Sequence, residues 1–214
     1  MDTYTQYIKD NFFVDGFWTE NEDGYFLLEE NDKGGESQLR FRVQSPGNLG
    51  ILNIDKKNTL FDFFVGSKEL GLNARVDHIV LEKMENDEWA AHLVEMKSSI
   101  FSIEKWYGIK KKFRSSYLFV QALCAMMHIQ LAQIYMYTTY EKSIFKCEPQ
   151  NTITRRMRVG KRATTPEEEW SGGRFVLRFG GDCELPFIHT PIQMVKNNSI
   201  LIGEYDCKSQ AQVK

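Results

Sequence analysis

The segments ARVDHIVLEKM (residues 74–84) and EWAAHLVEMKSS (88–99) are dense in branched and apolar residues, and the polar stretch ENDE (85–88) joins them. Such a pair reads as a β-hairpin. It constrains the fold strongly, because AAHLV (90–94) is apolar at every position but His92, and a strand without polar alternation has to be covered on both faces. Ser102 then predicts the N-cap of a long helix. Trp106, Ile109, Phe113, Tyr117, Val120, Cys124 and Met127 recur at steps of three or four and give one continuous apolar stripe. HIQLAQIYMYTTYE (128–141) follows with the composition of a strand. Strand, helix and strand in succession make a crossover, which predicts parallel pairing. The expected fold class is α/β, a mixed β-sheet core with flanking helices.

Elsewhere the pattern is more local. Tyr4, Tyr7, Ile8, Phe12 and Phe13 sit near helical spacing and predict a short amphipathic helix ending around Gly16. GYFLLEE and SQLRFRV, separated by NDKGG, predict a second hairpin, NTLFDFFVG (58–66) suits a helix or a strand, and RFVLRF and NSILIGEY read as short strands. No Pro/Gly/Ser-rich linker divides the 214 residues. One domain over 1–214 is expected, with a core of about 58–141, a β-rich N-terminal part over 1–57 and a β-rich, basic C-terminal part over 143–214. A content of 42% hydrophobic residues is enough to build a sizeable core.

No apolar run approaches the roughly 18 residues that cross a bilayer, and MDTYTQYIKDNFF has no basic region ahead of an apolar one, so a cytoplasmic location without a membrane is expected. Cys124, Cys147, Cys183 and Cys207 form no CxxC pair, and the histidines are scattered, which removes local support for a zinc site or a Ser/His/Asp triad. The formal net charge of −2 gives no general basic field. Its distribution is uneven: acid dominates 15–36, while base gathers in KKKFR (110–114) and RRMRVGKR (155–162).

Two opposite charges stand where the apolar strand ends. Alternation puts Trp89, Ala91, Leu93, Glu95 and Lys97 on one side. A turn occupying 86–88 places Asp77 opposite Lys97 and adds Ile79 and Leu81 to the same face, whereas a two-residue loop moves Asp77 to the other face. Two carboxylates about 4 Å apart repel by roughly 4 kcal/mol at an effective dielectric near 20. Lys97 offsets part of that, and a divalent cation with hard oxygen ligands, Mg²⁺ above all, offsets more. Such a cation polarises a phosphoryl oxygen and acidifies a bound water, while Lys97 orients that water or stabilises the developing charge. The plainer alternative is a solvated Glu95–Lys97 pair worth about 0.2–1 kcal/mol. The apolar run beside it argues for the former.

Asp77, one hairpin, then Glu95, Met96 and Lys97, with a helix and a strand behind them, resembles the PD-(D/E)xK nuclease superfamily over roughly residues 58–141. The resemblance implies a restriction-endonuclease-like fold and a metal-dependent endonuclease that hydrolyses nucleic-acid phosphodiester bonds. Asp77 and Glu95 would bind Mg²⁺ or Mn²⁺, the Met96 carbonyl would complete the site, and Lys97 would be the catalytic lysine. Residue 76 is Val where the family name has Pro, and the family's frequent upstream acid has two candidates, Asp62 and Glu69. The implied partner is nucleic acid, DNA or RNA, and a homodimer is left open.

In that family the helix after E-x-K often supplies a polar residue to the site, which points to Lys111, Arg114 and Gln121 as phosphate contacts; their plain reading is a solvated helix face. Arg155, Arg156, Arg158, Lys161 and Arg162 are five cations in eight residues and would attract a polyanion, or form a surface loop balanced by Glu167, Glu168 and Glu169. Trp18 and Trp170 offer rings for base stacking, though tryptophan is more often a core anchor. Two other functional readings stand: a non-catalytic nucleic-acid-binding or assembly module on the same fold, and an unrelated β-rich interaction protein if 128–141 were helical.

Overall fold

A computed structural model describes residues 3–13, 15–21, 23–32, 35–44, 47–56, 73–84, 87–145, 165–172, 174–179 and 183–207. The elements in chain order are α1 (Thr3–Phe12), β1 (Thr19–Asn21), β2 (Tyr25–Asp32), β3 (Gly35–Arg42), β4 (Asn48–Ile51), a 3₁₀ turn (Ile54–Lys56), β5 (His78–Lys83), β6 (Glu88–Glu95), β7 (Ser99–Ile100), α2 (Ile103–Met126), β8 (Gln130–Tyr140), β9 (Lys142–Ser143), α3 (Pro166–Trp170), β10 (Arg174–Arg178), β11 (Glu184–Gln193), β12 (Val195–Asn197) and β13 (Ile200–Asp206). A seven-stranded sheet runs β1-β4-β5-β6-β8-β11-β10, and a four-stranded sheet runs β12-β13-β3-β2.

The expected hairpin is β5–β6, antiparallel, and the crossover through α2 returns β8 parallel to β6. Ser102 caps α2, accepting from the Lys105 amide at 3.2 Å. The second expected hairpin is β2–β3. The α/β class with a mixed sheet therefore stands, and the sheet part is larger than the core predicted. C-terminal strands complete both sheets: β11 pairs with β8 in parallel, and β13 pairs with β3 in parallel.

Both faces of β6 are covered, as its unbroken apolar run requires. On one face Ile79, Leu81, Ala91 and Leu93 pack against Trp106, Ile109, Phe113 and Val120 of α2. On the other, Val80, Val94 and Tyr137 meet Phe26, Leu28, Leu39 and Phe41 of the smaller sheet. His92, the one polar residue of the run, is satisfied there: Nε2 lies 2.9 Å from Glu82 Oε2 and Nδ1 3.0 Å from the Tyr137 hydroxyl. Trp170 is fully buried, edge-on to Trp106 with ring centroids 5.5 Å apart, so its ring is not presented for base stacking, while Trp18 packs half-buried against the same core.

The contact between the sheets is close enough to exclude a methyl group. A Cβ on Gly50 of β4 would lie 2.7 Å from Phe26 Cε1, and Phe26 has nowhere to move in a filled interface. Gly50→Ala is expected to lower stability by about 1–3 kcal/mol in urea unfolding, against no loss if the sheets part easily.

Candidate metal centre

Strand register brings the two acids together. His78 pairs with Val94, so Asp77, just before β5, falls level with Glu95, the last residue of β6. Asp77 was expected opposite Lys97. The turn instead closes between Met84 and Glu88, whose amide and carbonyl bond at 2.8 Å, with Asp87 in the left-handed region at φ 59°. This slides the register by two residues and keeps parity, so Asp77 and Glu95 share the face that α2 covers.

The segment before Asp77 is pinned to the helix. Buried Ser116 accepts from the Val76 amide at 2.9 Å, and Ser115 donates to the Ala74 carbonyl. Asp77 Oδ2 accepts from the Met96 amide at 2.6 Å. On the neighbouring strand, the Lys97 amide donates to Thr139 Oγ1 at 3.0 Å, which fixes the chain as it leaves β6.

Two ammonium groups converge on the acids. Lys97 Nζ is 2.6 Å from Glu95 Oε1 and 3.7 Å from Asp77 Oδ2, and it donates to the Met96 carbonyl at 2.7 Å. Lys112 Nζ, from α2, is 2.8 Å from Glu95 Oε1 and 3.3 Å from Asp77 Oδ1. Glu95 itself is fully buried. Burial, reinforced by the charge of Asp77, pushes its carboxyl up to about 7 against the pull of Lys97 and Lys112. Burial alone would depress Lys112, but Glu95 and Asp77 outweigh it and hold the ammonium above the ordinary lysine range.

Further acids join from outside the hairpin. The Asp77 carbonyl accepts from the Ile54 amide at 2.8 Å, and this contact holds the 3₁₀ turn that carries Asp55. Glu30 comes from β2 of the smaller sheet. Ligand oxygens of Glu30, Asp55 and Asp77 lie within 4.8 Å of one another. Burial first, and Asp77 next, push both Glu30 and Asp55 above the usual carboxylate range. Glu30 Oε2 and Asp55 Oδ1 are buried and meet no hydrogen-bond donor. Lys56 Nζ, 3.4 Å from Glu30 Oε1, is the cation now beside them, and such oxygens beside a further carboxylate are the hard ligands a divalent cation takes. The oxygens expected to do this, those of Glu95 and the Met96 carbonyl, are engaged by lysines instead.

Lys112, Glu30 and Asp55 went unread in the sequence. Glu30 had a signal: it continues the inward face of Phe26 and Leu28, so the alternation places an acid on a buried strand face. Lys112 was hidden inside KKKFR, and nothing local marks Asp55. The candidate upstream acids Asp62 and Glu69 lie outside the described residues, as do Arg155, Arg156, Arg158, Lys161 and Arg162. Lys111 and Arg114 line a groove on another flank of α2, and Gln121 is exposed farther along that helix, outside the groove. Glu169 does not balance a surface loop, because it is buried, accepting from Trp106 Nε1 at 2.9 Å and Lys110 Nζ at 2.8 Å.

Among the described residues no helix is long and apolar enough to cross a membrane. Compared with known proteins, the chain matches no family model, no curated protein and no solved structure.

Proposed function

We propose that the chain is a metal-dependent nuclease on the PD-(D/E)xK plan, with a restriction-endonuclease-like core, hydrolysing nucleic-acid phosphodiester bonds. The observation that carries this reading is the meeting of Asp77 and Glu95 at adjacent strand ends, with Lys97 Nζ 2.6 Å from Glu95. The order hairpin, helix, parallel strand supports it. A bound Mg²⁺ or Mn²⁺ would polarise the scissile phosphate and acidify a water. Asp77, with Glu30 and Asp55 beside it, would supply the oxygens to hold that ion, and Glu95 lies level with Asp77 on the next strand. Lys97, about a quarter exposed, can turn from Glu95 to the phosphate or to the attacking water.

A second reading rests on Lys112. Its ammonium bridges Asp77 and Glu95 and, together with Lys97, balances their charge without metal, which is what a non-catalytic nucleic-acid-binding module on this fold would need.

Incubation with single- and double-stranded DNA and RNA in Mg²⁺, Mn²⁺ or EDTA separates the two. Metal-dependent cleavage of at least one substrate is expected, and none in EDTA. Cleavage that persists in EDTA rules out the mechanism. Absence of cleavage on every substrate, with no metal binding by calorimetry, selects the binding module.

A further inference from the structure

The flank of α2 away from Lys112 borders a groove of about 630 Å³, closed on its other side by β10 and the start of β11. At about 100° per residue, Lys110 and Arg114 lie about 160° round the helix from Lys112, so the groove and the carboxylate cluster are on opposite flanks. The charges of the groove do not cancel. Lys110 pairs with Glu169 at 2.8 Å and Arg178 with Glu184 at 2.7 Å, which occupies both acids of the lining. Lys111, Arg114 and Arg174 have no carboxylate partner among the described residues.

Arg114 carries the most information. Its Nη1 donates to the Arg178 carbonyl at 3.2 Å, which fixes the guanidinium in place. Nε and Nη2, the edge that grips a phosphate through two parallel hydrogen bonds, are buried and meet no acceptor. That edge is closed to solvent, so an anion in the groove gains it only when the guanidinium turns outward, and the accessible cations are the exposed Lys111 and Arg174. Tyr107, 47% exposed, and the apolar side chains of Val176 and Pro186 add a surface for a flat ring beside the cations. The volume falls within the roughly 300–1,000 Å³ of small-ligand sites.

We propose that this groove binds a nucleotide phosphate, from a free nucleotide or from a nucleic-acid strand, with the exposed Lys111 and Arg174 as its first contacts and Arg114 behind them. The site needs neither the cation nor Asp77 and Glu95. It therefore stands or falls separately from hydrolysis.

Binding is measured in EDTA, so that nothing is cleaved. Labelled single-stranded DNA and RNA of about 12 nucleotides are titrated by anisotropy, and AMP and ATP by calorimetry. The proteins are wild type, Arg114→Gln, the double variant Lys111→Ala with Arg174→Ala, and Lys196→Ala as a control on an exposed strand, each with a melting curve. Both groove variants are expected to bind at least about tenfold more weakly, with the control unchanged. The salt slope for the oligonucleotide should flatten by roughly 1.4 in the double variant, two phosphate contacts at about 0.7 each. Oligonucleotide binding about a hundredfold tighter than AMP or ATP assigns the groove to a strand, and equal binding assigns it to a free nucleotide. The double variant alters only exposed side chains, so a folding defect in Arg114→Gln leaves the test intact. Groove variants that bind every probe like wild type, or a wild type that binds none, overturn the proposal. Arg114-dependent binding in a protein that cleaves nothing in Mg²⁺ or Mn²⁺ would refute the nuclease reading and leave the groove assigned.

Discussion

Lys97→Ala is expected to lower single-turnover cleavage by about 10²–10³-fold while the fold persists, the usual effect of removing one preorganised charge from a developing oxyanion. Thr139 holds the Lys97 amide, so of the local backbone contacts the truncation removes only the ammonium's bond to the Met96 carbonyl. Glu95 keeps Lys112 at 2.8 Å after the truncation, so no buried carboxylate is stranded. Lys112→Ala tests the other ammonium. It leaves Lys97 at 2.6 Å from Glu95 and 3.7 Å from Asp77, so each truncation removes one of two ammonium partners and each is expected to cost about 1–3 kcal/mol in urea unfolding. The two lysines are thus separable by rate, which only Lys97→Ala is expected to lower by this factor, and not by unfolding. A Lys97→Ala protein that cleaves at the wild-type rate would remove Lys97 from the chemistry.

The second large effect concerns Glu95 and pH. Its folded carboxyl is raised to about 7 from an ordinary 4.5, so between these values the folded state holds a proton that the unfolded state releases. Stability then falls as pH rises through this window, by on the order of 3 kcal/mol in total, and is flat above it. Lys112, held above the lysine range, stays charged throughout and adds no slope here. His78, lowered to about 4 by burial, acts in the opposite direction: its neutral folded form gains stability as pH rises to about 6.5. The informative quantity is therefore the difference between wild type and Glu95→Gln, which mimics the protonated acid. In EDTA, urea unfolding from about pH 4.5 to 8 should show wild type losing this increment relative to the variant. Parallel profiles would mean that Glu95 ionises normally in the folded protein. Mg²⁺ should shrink the difference above pH 7, because a cation near Glu95 favours its charged form.

Lys97 and Glu95 were both legible in the chain. Their strand is apolar on both faces, which announced coverage by two layers, and the helix and strand behind it follow from a stripe at steps of three and four and from a capping serine. Asp77 was legible as a candidate, and its face depended only on the parity of the turn. Its level did not follow, because closure at Met84 and Glu88 needs Asp87 in a left-handed conformation that the letters ENDE do not specify. Trp170 reads the same in a core as on a surface, and only the packing of α3 against α2 made it core.

By itself the sequence determined the α/β class, the β5–β6 hairpin, the parallel return through α2 and the pairing of an acid with an E-x-K strand. These depend on periodicity and capping, which act within a few residues. Only the tertiary structure decided which charges meet. Glu30 comes from another sheet, Asp55 from a turn tied to the Asp77 carbonyl, and Lys112 from a helix flank, and each is brought in by packing between segments distant along the chain. It decided in the same way that Arg114, one cation among four in KKKFR, turns from the acids and fixes its guanidinium on β10.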